Sequence, residues 1–239
     1  MPRNVNLWRS ASHALEYLAR ADTIPHRTEG EAALLELLPG QVHRVLDLGS
    51  GDGRLLELIR LARPGVAAVA MDFSPAMIGR LTRRFKADRR VEVVTHDLAR
   101  RLPAAVGTFD VVVASFAIHH LPHRRKRALY EEVHDRLLPK GVFCNLEHVA
   151  SPTERLHRRF LEILGVPPSQ EDPSNKLLDV ETQLAWLRAI GFEDVDCHWK
   201  WRELALLGGR KPPRAISRRR GTRPPRGSSG PESSGRQPL

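Results

Sequence analysis

Three glycines at alternate positions, Gly49, Gly51 and Gly53, stand between the apolar run Val45-Leu46-Asp47-Leu48 and the helix-compatible Leu55-Leu56-Glu57-Leu58-Ile59. The pattern reads as strand, tight turn, helix. Glycine accepts positive φ at no steric cost and lets a ligand approach backbone that a Cβ would shield. A helix starting just beyond presents free N–H groups and the positive end of its dipole. An ordinary turn needs fewer glycines, so the stretch reads as a ligand cradle.

Neither common phosphate-binding turn fits. In a G-x-G-x-x-G fingerprint the third glycine would fall on Arg54 or Leu56, and the Gly-Lys-Ser/Thr of a Walker loop is here Gly53-Arg54-Leu55. The stretch closely resembles the first motif of the class I S-adenosylmethionine-dependent methyltransferases of small-molecule type, where an acid near the first strand's end precedes a G-x-G-x-G turn. The resemblance implies a doubly wound, Rossmann-like α/β fold. Its sheet has seven strands with the last antiparallel, under a helical N-terminal cap.

Downstream segments extend the resemblance. Residues 66–71 read as a second strand, and Asp72 follows 19 positions after Gly53. A carboxylate there can hold both ribose hydroxyls, or cap the following helix together with Ser74. The third strand, residues 91–95, runs into His96-Asp97-Leu98, and the fourth, residues 109–114, into Ser115-Phe116-Ala117-Ile118-His119-His120. The resemblance implies S-adenosyl-L-methionine as cofactor, held by Asp47, Gly49, Ser50, Gly51, Gly53, Asp72, Phe73, Asp97, Leu98 and Ser115, with Asp72 on the ribose and Asp97 on the adenine. His96 replaces the family's usual small residue and is expected at a solvent-facing strand end. His119 and His120 are the catalytic candidates. A near-neutral imidazole can take a proton from an acceptor, or the pair can fix the loop. Glu147, His148, Asn175 and Lys176 are further candidates for the acceptor side.

The acceptor loop lacks the Asn/Asp-Pro-Pro-aromatic run of base and glutamine amide methyltransferases. Neither Cys144 nor Cys197 follows a proline, as a cytosine C5 nucleophile usually does. His119 and His123 stand four apart with Pro122 between them and no Glu after His119, so no metal site is expected.

The formal charge of +10 suggests nucleic acid until it is located. Residues 211–239 carry eight basic residues and one acid, a net of +7, which leaves +3 for residues 1–210. The body is near neutral, and the end is an Arg, Pro, Gly and Ser tail that cannot bury enough surface to order itself. Residues 124–127 read as a solvated basic start to a helix over 124–138. Residues 139–141 read as a turn into a fifth strand over 142–149. Residues 165–176 have loop composition. Val195, Cys197, Trp199 and Trp201 alternate and so are expected on one strand face.

The expected organisation is a helical cap at 1–40, with at least one of Trp8 and Tyr17 packing on the core and, by the resemblance, residues 17–27 a candidate for substrate contact, then a methyltransferase domain at 41–210 and a tail at 211–239. No apolar run reaches membrane-span length, and both cysteines suit a reducing compartment, so a cytoplasmic enzyme is expected. The partner favoured is a small-molecule acceptor over nucleic acid. Docking of RNA or protein through the basic tail, or cofactor binding without catalysis, are the alternatives.

Overall fold

The computed structural model describes residues 24–214. The expected helix around Trp8 and Tyr17, and the tail beyond 214, lie outside the described residues. The chain runs through α1 (Arg27–Leu37), β1 (Arg44–Leu48), α2 (Arg54–Ala62), β2 (Ala67–Asp72), α3 (Pro75–Arg84), β3 (Val91–Thr95) and β4 (Phe109–Ser115). It continues through α4 (His123–Arg136), β5 (Leu137–His148), α5 (Glu154–Leu164), α6 (Val180–Ile190), β6 (Glu193–Trp201) and β7 (Leu204–Arg210).

The seven strands form one sheet in the order β3-β2-β1-β4-β5-β7-β6. The first five are parallel, and β7 enters antiparallel between β5 and β6. Alternation along each strand feeds two cores. Val45, Val111, Val113, Cys144 and Leu146 face Leu34, Leu56, Ile59, Leu81 and Phe160 of the helices on one side. Leu46, Leu48, Val112, Ala114 and Phe143 face Leu129, Val133 and Leu187 on the other. Both faces of the central strands are covered, which is why they read as continuous apolar runs rather than alternating ones. The strand order reverses at β1/β4, which places a crevice at the carboxyl ends of β1, β2 and β4.

Three expectations need correction. The helix expected over 124–138 stops at Arg136, and residues 137–141 belong to β5. Pro139 disfavours helical backbone at Leu138, and Lys211 Nζ donates to the carbonyls of His134 (2.7 Å) and Leu137 (2.8 Å) at the helix end. The turn chemistry survives as an irregularity inside the strand. Lys140 has φ 68, while its N–H donates to Lys211 O and the Lys211 N–H to Gly141 O.

The second correction concerns β6. Cys197 pairs with Leu207 but Trp199 with Leu206, so one extra residue, His198, reverses the alternation. Trp199 and Trp201 therefore pack on the core beneath α1 and α5, and Cys197 on the opposite face with Leu184 and Leu207. The third concerns the basic run before α4's apolar face. Arg125 holds the carbonyls of Leu98 and Arg100 and the Glu132 carboxylate. Lys126 is fully buried and donates to the carbonyl of Lys176.

Candidate active site

The glycine turn departs from the end of β1 and is closed by backbone bonds from the N–H groups of Gly49 and Ser50 to the Met71 carbonyl. Ser50 Oγ fastens it, donating to Asp47 O and accepting from Met71 N–H, each at 2.9 Å. Two of the glycines serve different ends. A Cβ on Gly53 (φ +89) would sit 2.6 Å from the Phe85 ring, whereas one on Gly51 (φ +58) would meet nothing within 4 Å. Gly53 lets α2 pack against α3. Gly51 lines a cavity of about 610 Å³ that crosses the carboxyl ends of the strands.

One end of that cavity is acidic. Asp72, at the end of β2, accepts from Gly51 N–H (2.9 Å) and Ser74 N–H (2.8 Å). These bonds aim its carboxylate along the turn. Each oxygen keeps further lone-pair capacity. Burial raises its pKa, and the two N–H groups oppose that rise. Asp47 is buried, its Oδ2 has no hydrogen-bond partner among the described residues, and burial pushes its pKa up to about 7. A cationic ligand relieves both groups. Phe73, Met77, Asp97 and Leu98 line the same end, and Asp97 Oδ1 accepts from Ala99 N–H at 2.9 Å. His96 corrects its sequence-based reading: it lines the cavity rather than facing solvent, with Nε2 buried and without a hydrogen-bond partner among the described residues.

The other end is built from the loop after β4. Ser115 lines the cavity with a buried hydroxyl that has no partner among the described residues. Phe116 sits at φ 50, in the left-handed region that bulky residues rarely adopt. Its ring lies 5.5 Å from the guanidinium carbon of Arg27. The structure separates the two histidines. His120 lines the cavity, hydrogen-bonded through Nδ1 to Ser174 Oγ at 2.8 Å. His119 is buried behind it, rings 3.9 Å apart, with Nδ1 2.6 Å from Glu147 Oε1. Burial holds both imidazoles below the usual histidine range and raises the Glu147 carboxyl.

Ten of the twelve predicted site residues line one cavity: Asp47, Gly49, Ser50, Gly51, Asp72, Phe73, Asp97, Leu98, Ser115 and His120. Gly53 and His119 lie behind its wall. Lys176 lines the cavity and Asn175 does not. Sequence reasoning placed Arg27 at the end of a candidate substrate-contact segment but missed Glu31 and Arg54. The buried Glu31 carboxylate takes Arg27 Nε at 2.9 Å and Arg54 Nη2 at 3.0 Å, and both arginines line the cavity. The signal was the i, i+4 spacing of Arg27 and Glu31 on a helix whose Leu34 is core.

A cavity at the topological switch point, with a Cβ-free turn on one side and paired acids beside it, fits a nucleoside carrying positive charge. The comparisons agree. Residues 45–141 match the model of a methyltransferase domain. The chain is 32% identical over 168 residues to a demethylmenaquinone methyltransferase of Clavibacter sepedonicus, covering 64% of this chain and 66% of that protein. It is 30% identical over 210 residues to a trans-aconitate 2-methyltransferase of Methylobacterium nodulans, covering 83% of this chain and 74% of that one. Human N-acetylserotonin methyltransferase in complex with S-adenosylmethionine superposes with a TM-score of 0.63 at 16% identity, over 86% of this chain and 58% of that chain.

The chain belongs to the class I S-adenosylmethionine-dependent methyltransferases. S-adenosylmethionine is its cofactor, and the residues described fit that group: the open face of Gly51, the aimed carboxylate of Asp72 and the orphaned oxygen of Asp47. Among the described residues no helix is long and apolar enough to cross a membrane.

Proposed function

We propose that this enzyme transfers the methyl group to a small molecule seated against Phe116, His120 and Lys176. The observation that carries this reading is the continuity of one cavity of about 610 Å³ from Gly51 and Asp72 to His120 and Lys176. That volume suits organic ligands rather than a macromolecular chain. When bound, S-adenosylmethionine supplies a methyl group already made electrophilic by its sulfonium. The protein then has to hold the acceptor in line and exclude water.

Asp72 holds the ribose, Asp97 and Leu98 the adenine edge, and the turn 49–53 the remainder of the cofactor. His120 faces the acceptor, and His119, fixed by Glu147, supports it from behind. The free thiols of Cys144 and Cys197 suit work in the cytoplasm. We assign residues 1–40 to a cap over this site, 41–210 to the catalytic domain and 211–239 to a tail. Two of the cations in the run 124–127, Arg125 and Lys126, are engaged inside the fold, which favours a small acceptor over docked RNA or protein.

Calorimetric titration of S-adenosylmethionine into the purified protein tests the reading. Saturable binding is expected, weakened about tenfold or more by Asp72→Ala and by Gly51→Val, whose side chain would fill the cradle. A folded wild type that does not bind, or affinity indifferent to both substitutions, defeats it. Removal of residues 215–239 is expected to leave methyl transfer intact; its loss would favour docking through the tail.

A further inference from the structure

The two ends of the cavity differ in where their carboxylates lie, while Arg54, Arg80 and Arg84 line the same side as the acids. Every acid among its described lining residues, Asp47, Asp52, Glu57, Asp72 and Asp97, belongs to the β1–β3 side. Beyond β4 the wall includes Phe116, Ala117, His120, Leu121, Ser174 and Lys176, with Arg27, paired to Glu31, over the Phe116 ring. No carboxylate lines that end among the described residues. The Lys176 ammonium is held at the wall by the carbonyls of Ser174 (3.1 Å) and His120 (3.3 Å), and an ammonium carries three N–H donors. Beneath it Lys126 donates to the Lys176 carbonyl, and the Lys176 N–H donates to His119 O at 3.0 Å, so the cation is tied to the histidine loop.

The wall is also poor in bases. Burial, reinforced by the neighbouring His119, outweighs Asp172, Glu147 and Ser174 around His120 and leaves its ring reluctant to take a proton. His119 does not reach the cavity. An alkylamine acceptor would arrive as an ammonium, repelled by Lys176, with no carboxylate on this wall to strip it. An alcohol or phenol, ionising near pH 10 or above, would need a stronger base than this wall offers. A carboxylic acid ionises near pH 4 and arrives as an anion.

We infer that the acceptor is a small carboxylic acid, bound as its carboxylate beside Lys176 and Arg27 and methylated on oxygen. This rests on the methyl-transfer reading above. A carboxylate oxygen forms the new O–CH3 bond as the CH3–S bond breaks, and that electron pair stays on sulfur. The products are a methyl ester and S-adenosylhomocysteine, and no proton is released. His120 contributes a hydrogen bond and shape rather than general base catalysis.

The test uses the full chain, S-adenosylmethionine with a labelled methyl group, and isosteric pairs: benzoate with benzamide, fumarate with fumaramide, and phenol and benzylamine as the base-requiring controls. Binding of the pairs to the S-adenosylhomocysteine complex is followed in parallel by thermal shift. We expect carboxylates alone to raise the melting temperature and to accept methyl. The label should be released as methanol on alkaline hydrolysis of the product, and the rate of methyl transfer should be nearly flat between about pH 6 and about pH 9. Lys176→Met should raise KM for the carboxylate about tenfold or more. Methylation of phenol or benzylamine, a base-stable product, a rate climbing about tenfold per pH unit, or carboxylates that neither bind nor react each overturn the inference. Normal S-adenosylmethionine binding in those cases leaves the cofactor reading standing; its failure removes both.

Discussion

His119 and Glu147, 28 residues apart in the chain, meet at 2.6 Å where neither reaches the cavity. Glu147 Oε1 also accepts the His148 N–H at 2.9 Å, so one carboxyl oxygen anchors both groups. Glu147→Ala leaves the buried His119 Nδ1 without this partner and is expected to destabilise the fold by about 1–3 kcal/mol. Glu147→Gln keeps an acceptor and should recover most of that loss. Urea denaturation with both variants checks the difference; equal losses would show that Glu147 acts only by filling space.

The two faces of the glycine turn predict opposite phenotypes. Gly53→Ala combines a left-handed φ with a contact 2.6 Å from the Phe85 ring and should lower stability by about 2 kcal/mol or more. Gly51→Ala meets open space and bears the backbone strain alone, about 1 kcal/mol, yet it should weaken cofactor binding more than its stability cost implies. Thermal melts beside calorimetry separate the two.

Asp47 links pH to both folding and binding. Its folded pKa of about 7 lies above the ordinary 3.8, so its contribution to stability is complete below about pH 4 and is lost as pH rises through 7. Asp47→Asn should therefore remove that decline and leave the cofactor-free protein more stable than wild type at pH 8, by an amount on the order of a few kcal/mol. Binding of the cationic cofactor favours the carboxylate, lowers its pKa and releases a fraction of a proton at pH 7. Calorimetry in buffers of differing ionisation enthalpy measures that release, and proton uptake would contradict the assignment.

The irregularity at His198 sets which face two tryptophans occupy. Deleting His198 restores strict alternation and turns either the Cys197 side or the Trp199 side to the wrong face. Gly30 packs directly on this arrangement, where an added Cβ would lie 2.9 Å from Trp199 and 2.8 Å from Leu146. The deletion is expected to abolish cooperative unfolding, whereas Trp199→Phe should lose about 1–2 kcal/mol. Near-ultraviolet circular dichroism and urea melts distinguish these outcomes.

What the sequence made legible was local. The glycine turn, the strand at residues 91–95 and the helix at residues 180–190 each depend on neighbours within a few positions, and the structure has them where the pattern puts them. The family resemblance carried the sheet order. The features that escaped depend on distant partners. Residues 139–141 read as a turn because their residue types favour one, and it is Lys211 that makes them part of a strand. Lys126 reads as a surface cation because its run is basic, and the carbonyl of Lys176 brings it inside. His96 looked solvent-facing because its strand end carries no apolar pattern to contradict that. The grouping of Glu31 with Arg27 and Arg54 depends on two separate helices meeting.

The place of β7 between β5 and β6 bears on how the chain acquires its parts during synthesis. The cofactor side is assembled from the first four strands of the chain, which form one contiguous part of the sheet and end with β4 at residue 115. The acceptor side has to wait for residues 174–178 to bond the histidine loop and for residues 204–210 to slide between two strands already made. Such long-range pairings form last because their closure entropy must be met first. A ribosome-bound chain thus gains the means to grip its methyl donor well before it has a wall against which to hold an acceptor.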